Sequence, residues 1–257
     1  MPSSLLHSGE IAAALDEYLS EVGVFLRESS AEFRGNEQFK FIFRTAFASH
    51  AFMEGLNRDG NAKRLAQAMY LVRLTPFAVL MRQYSLGYVL LRQLVESVFS
   101  LIFFWDHPVE LKAFLATPDS NTANEPGKPI HYLAHRELSF YVNYASERFE
   151  SDPSGLAKDA VSALSGVIKE FNRHTHFRYS VAQSDQFRSL ELENPKSLPV
   201  FASLYRATMS KVAIILAAAL KEHFDSLSPI QRAHFDWLVT SGLAKRIRSQ
   251  QFGLCDG

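Results

Sequence analysis

The chain has 257 residues, 47% of them hydrophobic and 21% charged, so it can bury a sizeable core and lacks the composition of a disordered segment. Equal numbers of basic and acidic residues, 27 of each, leave no global field to draw it to nucleic acid or to an anionic membrane. The one cysteine, Cys255, excludes an internal disulfide framework and any cysteine-rich zinc or iron–sulfur site.

No low-complexity stretch or long Gly/Ser/Pro linker divides the sequence, and a single all-α domain over residues 1–257 is expected. The opening MPSSLLHSGE lacks the basic start and continuous apolar core of a secretion signal, so a cytoplasmic, reducing setting is expected.

In chain order, Gly9–Ser29 spaces Ile11, Leu15, Tyr18, Leu19, Val22, Phe25 and Leu26 as one face of a helix. After a break at Ser29–Asn36, the pattern Phe39, Ile42, Phe43, Ala46, Phe47, His50 predicts a second helix running toward Asn57. Arg58 to Asn61 reads as a turn and Ala62–Leu74 as a third helix. Thr75 and Pro76 then read as a cap and a first-turn proline that start a new helix.

That helix, Pro76–Trp105, is the most apolar stretch of the chain and is expected to be the buried centre of the fold, with a bend near Ser85 or Gly87. Its polar residues Arg82, Ser85, Arg92, Gln93, Glu96 and Ser100 fall on one stripe at the helical period. Such a stripe is either the edge at which a core helix meets water or the wall of a polar cleft. Arg82, Arg92 and Glu96 also interrupt the apolar run, so no membrane span is expected.

Asp106 and Pro108 are placed to start a short helix that ends near Thr117, and Thr117–Pro129 is the clearest loop in the sequence. Further helices are predicted over Ile130–Phe149, from Ser154 to about Phe177, over Val200–Phe224, and from Pro229 to about Arg248. Residues 178–199 carry short alternations that fit an irregular excursion or a hairpin. The sum is an all-α helical bundle of about eight or nine helices around one buried central helix.

Several chemistries find no support in the motifs. Di-iron bundles need Glu-x-x-His, which does not occur, and G-x-S-x-G, Walker A, G-x-G-x-x-G and H-E-x-x-H are missing. His131 and His135 are one helical turn apart but have no carboxylate signature around them, so no metal site and no cofactor is expected. Lys245, Arg246 and Arg248 fit a helix terminus whose cations offset unpaired carbonyls. The densest group of acid/base side chains is EFNRHTHFRY, Glu170 to Tyr179, in which Asn172 and His176 are one turn apart. A basic helix terminus accounts for this segment as well as a site does.

The segment YSLGYVLLRQLVES, followed two helices later by an N-x3-H segment, resembles the HEPN-like helical superfamily. The match is to poorly characterised branches, in which an arginine and a glutamate four apart on one helix accompany a later histidine; it covers about Leu71 to Tyr179. The resemblance implies that Arg92, Glu96, Asn172 and His176 meet at one polar pocket. It further implies RNA binding or metal-independent ribonuclease activity in a toxin or defence role, by a homodimer. In that chemistry a histidine and an arginine manage the attacking 2′-hydroxyl and the phosphate charge. The sequence departs from the better-known motif of that superfamily, an arginine followed four to six residues later by a histidine, which only Arg44 and His50 approach. Two other readings stand beside this one: a non-catalytic scaffold or adaptor in which Arg92 and Glu96 form a structural ion pair joining helices, and a small-molecule site in the aromatic-rich core.

Overall fold

Every regular element among the described residues is an α-helix, as the sequence pattern predicts; the computed structural model describes residues 16, 20, 23, 24, 26–57, 63–116, 137–175 and 197–239. The helices are α1 (helical over 26–34), α2 (Glu37–Leu56), α3 (Lys63–Leu80), α4 (Tyr84–Asp106), α5 (Pro108–Ala116), α6 (Leu138–Arg148), α7 (Leu156–Thr175), α8 (Ser197–Ala219), α9 (Lys221–Asp225) and α10 (Pro229–Leu238). The predicted loop Thr117–Pro129, most of the 178–199 excursion, His131, His135, the 245–248 cluster and Cys255 lie outside the described residues.

Local chemistry accounts for several of the boundaries. Asn36 caps α2, its Oδ1 accepting from the amides of Gln38 at 2.9 Å and Phe39 at 3.2 Å. Asp152 and Ser154 satisfy the first amides of α7, at Ala157 and Leu156 respectively. Ser228 and Gln231 form a reciprocal capping box at α10, with Pro229 in its first turn.

The expected central helix is not continuous. Pro76 lies inside α3, and the break comes at Met81–Gln83, ahead of the bend expected at Ser85 or Gly87. Gln83 N–H bonds back to the Ala78 carbonyl at 2.9 Å and Arg82 N–H to the Val79 carbonyl at 2.8 Å. This is a Schellman ending, with Arg82 at φ +53° in the left-handed position that glycine usually occupies. An ion pair with Glu32 and the ring of Phe33, 5.9 Å away, hold the arginine there.

Pro76 is tolerated because its missing N–H is replaced. The Val72 carbonyl, which that amide would have served, accepts from the hydroxyl of fully buried Tyr205 on α8 at 3.4 Å. Burial pushes the Tyr205 phenol far above its ordinary range, so it remains the donor. Thr75 is likewise no cap, since its hydroxyl donates to the Leu71 carbonyl one turn back.

The core is built on two helices. α4 packs on α3, α5, α6, α7 and α8, while α8 packs on α2, α4, α7, α9 and α10. Their close approach requires Gly87, where a Cβ would lie 2.7 Å from the ring of Phe201. Around that crossing Phe201 meets Tyr88 edge-on and stacks with Tyr205, and at the far end of α4 Phe103 meets Phe140, Tyr141 and Tyr144 edge-on. The helix expected over Val200–Phe224 starts earlier, at Ser197, and divides at Leu220 into α8 and α9.

Both core helices are long and apolar enough to cross a membrane, with 72% and 61% of their apolar windows buried inside the fold. Packing against neighbouring helices accounts for their apolarity.

Candidate functional site

The polar flank of α4 opens onto a cleft of about 900 Å³ between α4, α6 and α7. That volume is in the range of ligand sites, roughly 300–1,000 Å³. Helical spacing puts Arg92, Gln93, Glu96, Ser97 and Ser100 along one wall. Glu137, Ser139 and Asn143 face them from the start of α6, with Ser165 from α7 and Gln67 from α3 completing the polar lining. Tyr141, Val142 and Ile168 supply its apolar part.

The stripe read from the sequence therefore divides. Arg92, Gln93, Glu96 and Ser100 line the cleft, whereas Arg82 belongs to the α3–α4 turn. Ser97 and Ser100 are almost fully covered, and the Ser100 hydroxyl donates to the Ser97 carbonyl at 3.0 Å. The remaining side chains present amides, hydroxyls and carboxylates, a wall suited to a ligand with many hydrogen-bonding groups.

Arg92 Nε donates to Glu96 Oε1 at 2.9 Å, and the two side chains are 31% and 36% exposed. The pair links successive turns of one helix, so it does not join helices as the scaffold reading requires. This bond orients the guanidinium through Nε and leaves Nη1 and Nη2 without a partner among the described residues. With Glu137, the lining carries one cation and two carboxylates, so the cleft alone is not a basic channel.

Asn172 lies in α7, one turn beyond Ile168 at the helical spacing that continues from Ser165. Its side chain and all of His176 lie outside what the structure describes. Arg44 and His50 do not form a site, because a separation of six residues turns them about 120° apart on α2. Arg44 stands over the Trp237 ring at 4.8 Å, whereas His50 is near Arg73 of α3, and burial together with that arginine lowers its pKa. Among the described residues no group of three His, Cys, Asp or Glu side chains could hold a metal ion.

Sequence reasoning missed Gln67, Glu137, Ser139, Asn143 and Ser165, which reach the cleft from three other helices. Each is an ordinary polar residue on an amphipathic helix, and only the packing of α6 and α7 against α4 gives it a shared address. No family model, no curated protein and no solved structure matches the chain.

Proposed function

We propose that this protein binds single-stranded RNA at the α4–α6–α7 cleft, with Arg92 contacting a phosphate and Glu96 holding the guanidinium in place. The observation that carries the reading is Arg92, bound through Nε to Glu96 on the wall of a large polar cleft with both terminal nitrogens unpartnered among the described residues. Two parallel N–H groups on a fixed plane match a phosphodiester, and serine and amide groups can meet the 2′-hydroxyl and base edges. The resemblance of the LLRQLVES segment to HEPN-like proteins supports the same ligand class.

In the catalytic form of this proposal, His176 takes the proton of an attacking 2′-hydroxyl and Arg92 stabilises the charge that builds on the phosphate. Asn172 positions the strand. The products are a 2′,3′-cyclic phosphate and a free 5′-hydroxyl, with the proton passing to the leaving oxygen.

The test is labelled single-stranded RNA with wild-type protein, Arg92→Ala and His176→Ala, each checked by thermal melting. The expected outcome is binding that Arg92→Ala abolishes at an unchanged melting temperature, and cleavage that His176→Ala removes. Wild-type protein that binds no RNA, or an Arg92→Ala variant that binds as wild type, overturns the reading.

A further inference from the structure

One arginine against two carboxylates is too little positive charge for the cleft to retain a polyanion unaided. A surface of exposed rings that can take up bases lies next to it. Gln67 lines the cleft from α3, and three residues further on Tyr70 is 61% exposed, followed after three more by exposed Arg73. That spacing carries the outer face of α3 from the cleft toward α2.

α3 packs along α2, so this outer face runs on to the neighbouring helix. Along α2, Phe47 is 61% exposed and Phe43, one turn away, 60%. Phe47 meets the His234 ring edge-on at 5.6 Å, and Arg44 stands over Trp237 at 4.8 Å. Arg206 lies over the same indole at 3.9 Å and donates to the Trp237 carbonyl, so two guanidinium groups share one ring. Among the described residues the carboxylates by this strip are Glu54, on the same helix as His50, Glu37, which pairs with Lys40, and Asp236 beside Trp237.

We infer that a single strand of RNA leaves the cleft past Gln67 and crosses the outer faces of α3 and α2, its bases stacking on Tyr70, Phe47 and Phe43 and its phosphates against Arg73 and Arg44. This deepens the RNA reading and rests on it. Exposed rings alternating with arginines are how sequence-tolerant single-strand sites are built, because every base has a face to stack. A second copy of the chain is the poorer occupant. A two-fold contact centred here would bring Arg44 and Arg73 against their own copies.

The experiment is fluorescence anisotropy of a labelled single-stranded oligoribonucleotide of about a dozen bases. It compares the full chain with Phe43→Ala, Phe47→Ala, Tyr70→Ala, Arg44→Gln and Arg92→Ala, with melting and sedimentation measured for each. Since the three rings are mostly exposed, their removal leaves folding intact. Each loss of a ring weakens binding about tenfold, the worth of one base–aromatic stack, at unchanged melting and sedimentation. Loss of affinity in the ring variants with wild-type binding by Arg92→Ala puts RNA on the rings alone, which overturns the cleft reading and with it the path out of the cleft. Wild-type affinity in the ring variants with loss in Arg92→Ala overturns the strip and leaves the cleft reading standing. Ring variants that change only the sedimentation make the surface a self-association face and overturn the inference, and wild-type protein that binds no RNA overturns both.

Discussion

At the scale of single residues, two ion pairs of similar length have different consequences. Arg92 and Glu96 are partly solvated and lie on one helix, where such pairs contribute roughly 0.3–0.5 kcal/mol. Arg148 Nε reaches Asp106 at 2.8 Å and its Nη2 donates to the Ala219 carbonyl, tying α6 to the ends of α4 and α8. Tyr144 donates to the same Asp106 oxygen at 2.7 Å, and burial, then that bond, pushes its phenol up to about 12. Urea titration is expected to show Glu96→Gln within about 0.5 kcal/mol of wild type and Arg148→Met roughly 1.5–3 kcal/mol less stable. A large loss in Glu96→Gln would restore a structural role for the Arg92 pair. His50 supplies a pH signature: burial and Arg73 hold its folded pKa below the ordinary 6.5. Its share of stability is therefore full above about pH 6.5 and is lost as pH falls through the folded value. His50→Asn should flatten the dependence of the urea midpoint on pH below that point, and an unchanged slope would contradict this assignment.

At the scale of elements, the sequence legibly carries most helices and misplaces the most important boundary. Apolar spacing at the helical period marks α2, α4, α6, α7 and α8. The start of the central helix could not be read that way. Thr75–Pro76 has the local form of a helix start, yet a hydroxyl supplied by Tyr205, 129 positions later, lets α3 run through it. The true end of α3 has no glycine signal because Arg82, anchored by Glu32, occupies the left-handed position. Gly87, expected to mark a bend, instead admits Phe201 at the α4–α8 crossing. Gly87→Ala is expected to cost about 1–3 kcal/mol and to lower the melting temperature, as overpacking in a core does. A melting temperature at or above wild type would mean that the crossing is looser than its geometry indicates.

At the scale of the molecule, the division of polar residues follows from two buried helices sharing the core. α8 is covered by α2, α4, α7, α9 and α10, whereas the polar flank of α4 remains open at the cleft it shares with α6 and α7. The half of the candidate site on α4 was legible because Arg92, Glu96 and Ser100 interrupt an otherwise apolar helix at one period. The half contributed by Gln67, Glu137, Asn143 and Ser165 was not, since tertiary packing alone brings those positions together. The exposed rings of α2 and α3 escaped notice for the opposite reason: Phe43 and Phe47 fit the apolar helical pattern that predicts α2, although both face outward.

The most direct test of an RNA-binding cleft is hydrogen–deuterium exchange of the full chain with and without saturating single-stranded RNA. RNA is predicted to slow exchange in the α4 segment carrying Arg92 to Ser100 and in the start of α6 from Glu137 to Asn143. Unchanged exchange in both segments under saturating RNA would contradict the account.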